Sequence, residues 1–362
     1  MNIKRNVYTA AAGLLATCLA AATASAQGFM GFDYSASAGA VSQVSVANLK
    51  SDWAVTGVRN GSGLIELITW KSNTIALERM GSATGPAIGN GPVSTVAVTP
   101  ELVLTAVPTP DGSSALISWN IGPKGVVTLG NTVNITGQSL SVAKLNSSRV
   151  VTSYVDVNGL VAVYVYTVSS SGMTLSAGGE VAAGTIPSVA AANKTQFVVA
   201  FQTTSGTLEV DAWVVKHDGV VAPTGTGSAG AISEVQIAPD GIGGVATAVR
   251  NGGGELEVID WGVPSTGEIY RASSADVGTV SQIAISTING QIFTASIGNA
   301  GAVDAGVWGY DGLQLQAGAS AQGEAANMVA AAPLAGELSV TATRTAAGNL
   351  QVDVWLGDYV AP

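Results

Sequence analysis

Residues 232–271 read ISEVQIAPDGIGGVATAVRNGGGELEVIDWGVPSTGEIYR. Ile232-Ser233-Glu234-Val235-Gln236-Ile237 alternates apolar and polar, the pattern of a half-buried strand. Gly241 to Gly244 make a turn, and Val245 to Arg250 form a second strand. Gly252, Gly253 and Gly254 supply a hairpin turn into a third strand, Leu256 to Trp261. Ser265-Thr266-Gly267 turns the chain again, Glu268 to Arg271 is a fourth strand, and Gly278 leads onward.

The same plan recurs on either side. Trp70, Trp119, Tyr166, Trp213, Trp261, Trp308 and Trp355 follow one another at intervals of 47 to 49 residues. Self-similarity at that period marks a repeat architecture, whose units bury a core by stacking on one another. The second strand carries a small central residue in each unit: Gly57, Ala106, Ser153, Ala200, Ala248, Ala295 and Ala342. Three residues before each aromatic stands an apolar residue: Leu67, Leu116, Val163, Val210, Val258, Ala305 or Val352. Alternation puts it on the opposite face, so both faces of each sheet are apolar and each sheet is expected between two neighbours.

Four-stranded units repeated radially make a β-propeller. The expectation is an all-β fold with seven blades of four antiparallel strands, in one domain over residues 27–362. After Trp355 the chain is short for a fourth strand, whereas Phe29 to Gly39 aligns with Glu268 to Gly278. The N-terminal strand, about 29–39, is therefore expected to complete the last blade as its outer strand and close the ring. Over residues 29–362 the chain resembles β-propeller repeat proteins, in architecture and not in any functional family. It lacks the Gly-His and Trp-Asp pairs of WD40 repeats and the Asp-rich loops of calcium-binding propellers. The resemblance implies a disc with a central channel.

Lys4 and Arg5, an apolar stretch from Val7 to Ala22, and Ala24-Ser25-Ala26 have the form of a secretory signal peptide of bacterial style over residues 1–26. Cleavage after Ala26 and a secreted or periplasmic location are expected. Cys18 is the single cysteine, so the mature chain would hold no disulfide and no thiolate site. The formal net charge is −10, and charged residues make up 10% of the chain. No basic stripe exists, which argues against nucleic acid, and no transmembrane segment is expected in the mature chain. Gly, Ala, Ser, Thr and Val suit short strands and tight turns.

Little in the sequence assembles into chemistry. His217 is the only histidine and stands in a turn beside Asp218; it reads as a solvated turn residue before it reads as a general base. A single histidine excludes a multi-histidine metal site, and no cofactor, metal or catalytic set is expected. The innermost strands should line the channel with Gln43, Glu234, Gln236 and Gln282, where Glu234 is the one carboxylate. Glycosidase chemistry needs two.

One pattern stands out: Arg59, Glu66 and Trp70 recur at the same spacing as Arg250, Glu257 and Trp261. A two-residue turn at Ser62-Gly63 would set Arg59 opposite Glu66, and Gly253-Gly254 would do the same for Arg250 and Glu257. An arginine, a carboxylate and an indole at a blade interface resemble the sugar sites of propeller lectins. The competing reading is structural, a cross-strand ion pair beside a core tryptophan. The function expected is an exported, non-catalytic binding module for a glycan, a surface polymer or a surface protein. The alternatives are an exported hydrolase or lyase working from the channel, and a structural cell-surface protein.

Overall fold

The computed structural model describes residues 27–73, 76–265 and 268–360. The expected signal peptide and the turn residues Thr266 and Gly267 lie outside the described residues. The described chain is all-β, without an α-helix, and its architecture is a β-propeller.

The first strands are β1 (Gln27–Lys50), β2 (Trp53–Asn60), β3 (Leu64–Ser72) and β4 (Leu77–Ala87), paired antiparallel in that order. They form the Trp70 set. The Trp119 set is β5 (Ser94–Thr99), β6 (Leu102–Pro108), β7 (Ser114–Ile121) and β8 (Val127–Ile135). The Tyr166 set is β9 (Gln138–Asn146), β10 (Arg149–Val155), β11 (Leu160–Ser169) and the first half of β12 (Gly172–Ala191). The second half of β12, with β13 (Gln196–Thr203), β14 (Thr207–Val215) and the start of β15 (Val221–Pro239), builds the Trp213 set. The Trp261 set continues from β15 through β16 (Val245–Asn251), β17 (Glu255–Gly262) and β18 (Tyr270–Ile288). The Trp308 set runs from β18 through β19 (Gln291–Gly298), β20 (Ala302–Asp311) and β21 (Gln314–Pro333). The Trp355 set takes β21, β22 (Leu338–Thr345) and β23 (Asn349–Val360). Its outer strand is β1, whose residues Gln27 to Ala40 pair with β23 before Val41 to Lys50 pair with β2.

Gly278 leads from the outer strand of the Trp261 set into the next unit, and the backbone stays extended through it: β18 pairs with β17 up to Thr279 and with β19 from Val280. Sharing strands in this way joins nineteen strands in one hydrogen-bonded network, and β5–β8 stand apart as a four-stranded sheet. The separation has a local cause. Residues 88–93 include Gly91 at φ +145° and Pro92, which has no N–H, and Thr136-Gly137 interrupts the chain before β9.

Packing follows the alternation of the third strand. Trp119 shares a core cluster with Leu67, Tyr166 with Leu116, Trp213 with Val163, and Trp261 with Val210. Trp308 joins Val258, Trp355 joins Ala305, and Trp70 joins Val352. Each aromatic thus faces the preceding set and each residue three earlier faces the following one. The last of these seams brings the end of the chain back to its beginning.

Candidate functional site

The inner strands touch in chain order, β1 to β5, β5 to β9, and on through β12, β15, β18 and β21, which returns to β1. They surround a cavity of about 640 Å³. On β2 the small residue Gly57 permits this approach. A Cβ on Gly57 would collide with Thr95 Oγ1, and Ser45 and Thr95 meet there through their hydroxyls at 2.5 Å. Serines tie further inner strands together: Ser94 Oγ accepts the Val142 N–H at 3.4 Å and Ser141 Oγ accepts the Val189 N–H at 3.3 Å.

Gln43, Glu234, Gln236 and Gln282 all line this cavity. In the Trp261 set Gln236 takes the serine position, opposite Ala248, and Glu234, two residues earlier, bridges to the next inner strand, its Oε1 accepting the Ile283 N–H at 3.3 Å. Arg250 lies directly across from Glu234 on β16. Burial pushes the Glu234 carboxyl up to about 7, against the opposing pull of the Ile283 N–H and the Arg250 charge. The arrangement offers amides, hydroxyls, one carboxyl and the Arg250 guanidinium to a ligand. A second hollow, about 610 Å³, lies between the Trp119 and Tyr166 sets against Glu101, Asn120, Val126 and Ser169.

The second constellation is not assembled as the spacing suggests. Arg59 opposes Ile65, and Glu66 opposes Val58. Arg250 opposes Leu256, and Glu257 opposes Val249. The hairpin loops hold three residues, not two. Gly63 donates its N–H to Asn60 O at 2.9 Å with φ +78°, and Gly254 does the same to Asn251 O at 2.9 Å with φ +79°. A type I turn closed by a left-handed glycine shifts the register by one residue and sends each arginine to the opposite face from its expected partner.

The arginines have other partners. Arg59 donates from Nη1 to Ser42 Oγ at 2.9 Å and from Nε to Ile88 O at 3.2 Å. Arg250 donates from Nε to Ser233 Oγ at 2.7 Å and from Nη1 to Ser281 O at 3.5 Å. Arg344 donates from Nε to Val41 O at 2.9 Å, and Gln202 Nε2 to Ile232 O. All four stand eleven residues before their aromatic and reach a backbone carbonyl at the entry to the next inner strand. They staple consecutive sets together.

The carboxylates pair with arginines that the spacing did not indicate. Arg79 Nη2 donates to Glu66 Oε1 at 2.9 Å and to Ser82 Oγ at 2.7 Å. Arg271 Nη2 donates to Glu257 Oε1 at 2.5 Å and to Ser274 Oγ. Their sequence signal lies on the outer strand, where Arg79 pairs with Trp70 and Arg271 with Trp261.

Trp70 and Trp261 are each 1% exposed. Their indole N–H groups donate to Thr56 Oγ1 and Thr247 Oγ1, both at 2.9 Å. The same bond joins Trp119 to Thr105, Trp308 to Thr294 and Trp355 to Thr341. Neither ring presents a face to a sugar; both are core residues with a satisfied polar edge. His217 is exposed in its turn, and Asp218 Oδ1 accepts the Val220 N–H at 3.0 Å. Among the described residues no group of three or more His, Cys, Asp or Glu side chains could hold a metal ion, and no helix is long and apolar enough to cross a membrane.

No protein-family model matches the sequence, and no curated protein matches it. Solved structures do resemble the fold. Raptor from Chaetomium thermophilum superposes with a TM-score of 0.59 at 12% identity over 92% of this chain, which spans 29% of the Raptor chain. A protein from Lactobacillus plantarum gives 0.56 at 15% identity, over 77% of this chain and 84% of that one. The C-terminal WD40 domain of Sif2 gives 0.53 at 13% identity, over 91% and 98%. Likeness at this identity establishes the propeller architecture.

Proposed function

We propose that this chain is an exported, seven-bladed β-propeller that serves as a non-catalytic interaction module, engaging a surface protein at the channel mouth. The carrying observation is the cavity itself. Every inner strand contributes to it, and its polar side chains are hydroxyls, the amides of Gln43, Gln236 and Gln282, the carboxyl of Glu234 and the guanidinium of Arg250. Mostly neutral hydrogen-bonding groups on a rigid frame, with one acid and one base, suit recognition of a partner's backbone amides and polar side chains. The signal-peptide pattern of residues 1–26 supports export, and the WD40 domain among the similar folds supports an interaction role. The seven sets, with seams running from Trp70 round to Val352, support seven blades closed by β1. A glycan partner would have to dock without Trp70 and Trp261, whose rings are buried.

The test is affinity capture from cell-surface fractions on the intact chain. A partner retained by the parent and lost by Gln43→Ala/Gln236→Ala/Gln282→Ala, at unchanged melting temperature, supports the mouth as the interface. Equal retention by the variant moves the interface elsewhere. Polymer cleavage abolished by Glu234→Gln would contradict the non-catalytic reading.

A further inference from the structure

Asp211, Asp240, Asp260 and Asp353 are buried in the seams between sets. Asp240 is satisfied, its Oδ1 accepting the N–H groups of Ile242, Gly243 and Gly244. The other three have no cation. Among the described residues the ion pairs are those of Glu66 and Glu257.

Asp353 is 1% exposed on β23, between Thr341 of β22 and Ser35 of β1. Its Oδ1 accepts from Gln351 Nε2 at 2.8 Å, and the charged group acting on it is Glu324 of β21. Asp211 holds the same place two residues before Trp213, between Val199 of β13 and Thr226 of β15, with Glu209 beside it on β14. Across that seam, Gly179 of β12 packs on Trp213 and Glu180 follows it. Asp260 lies between Ala246 of β16 and Ser273 of β18, facing Asp240 and Tyr310 of β20. Asp211 Oδ1 and Asp260 Oδ1 are buried without a hydrogen-bond partner. The groups facing these carboxyls are acidic or neutral, never basic.

We propose that the seam carboxyls make the ring a pH-responsive assembly: neutral, they are tolerated members of dry seams, and ionised, they repel and loosen the sets. An uncompensated buried charge is among the costliest groups in a fold. Burial is the first cause that pushes Asp353 up to about 6, and it raises Asp211, Asp260 and Glu209 as well. A carboxyl raised on folding stabilises fully below its unfolded value, and that stability is lost as pH climbs through the folded value. For Asp353 the loss therefore falls between about pH 4 and about pH 6. Asp111 and Asp156 shift downward, held by hydrogen bonds from Thr109 and Leu160 respectively, and so favour higher pH. Asp111 is exposed and Asp156 stands in a surface turn, where such contributions are small.

The test is thermal melting of the full chain at pH 5 and pH 8, at one ionic strength, beside Asp353→Asn and Asp211→Asn. The parent should melt about 5 °C lower at pH 8. Each asparagine, isosteric and never charged, should recover part of that loss at pH 8 and leave pH 5 unchanged. A parent equally or more stable at pH 8 overturns the proposal. So does an asparagine variant that lowers melting equally at both pH values, which marks the carboxyl as a structural hydrogen-bond group only. Should one variant fail to fold, the parent profile and the other variant still decide.

Discussion

At the scale of the residue, five of the seven sets carry a tryptophan bonded to a threonine fourteen positions earlier. The indole N–H finds a hydroxyl inside a buried seam, so the ring buries fully without stranding its donor. The Trp213 set lacks the threonine: Val199 stands there, and Trp213 Nε1 is buried without a partner. Val199→Thr should therefore stabilise the fold by about 1 kcal/mol, the net worth of one added hydrogen bond, and Thr56→Val should cost about 1–3 kcal/mol through the orphaned Trp70 N–H. Urea unfolding of the two variants checks the opposite signs. Both residues of the pair are plain in the sequence, where threonine recurs on the second strand. Their bond is not, because sequence spacing does not say which way the indole edge points.

At the scale of the element, the hairpin between the second and third strands decides what meets what. A glycine stands seven residues before every aromatic, from Gly63 to Gly348, and each donates its N–H to the carbonyl three residues back. That regularity was legible and specifies a three-residue loop. Reading Ser62-Gly63 as a two-residue turn moves Arg59 across the sheet, one residue being enough to exchange faces. Gly254→Ala isolates the conformational requirement, since a Cβ there meets nothing within 4 Å while φ is +79°. It should cost about 1 kcal/mol, visible as an earlier urea midpoint at unchanged m-value. The arginine staples belong to this scale too. Arg344→Leu removes the donor to Val41 O, and amide exchange over residues 41–48 should accelerate while exchange in β6 and β7 stays slow. Uniform acceleration would show global destabilisation and no staple.

At the scale of the molecule, an aromatic interval of 47 to 49 residues sufficed to identify an all-β repeat fold. Four strands per period, apolar on both faces, leave radial stacking as the arrangement that buries every sheet. The functional site was less legible. Inner-strand alternation located Gln43, Glu234, Gln236 and Gln282 at the cavity. The arginine, carboxylate and indole pattern mixed three structural devices whose residues share a spacing and not a face. Burial of Asp211, Asp260 and Asp353 was invisible as well, because a carboxylate on an alternating strand reads as solvent-facing until the neighbouring set is in place.

The account turns on closure of the ring by β1, which pairs with β23 along one half and with β2 along the other. Hydrogen exchange over residues 29–40 of the intact chain tests this most directly. Closure predicts protection of those amides comparable to that of β23, and loss of both together under mild denaturant. Rapid exchange at 29–40 beside a protected β23 would contradict it and leave an open array in place of a ring.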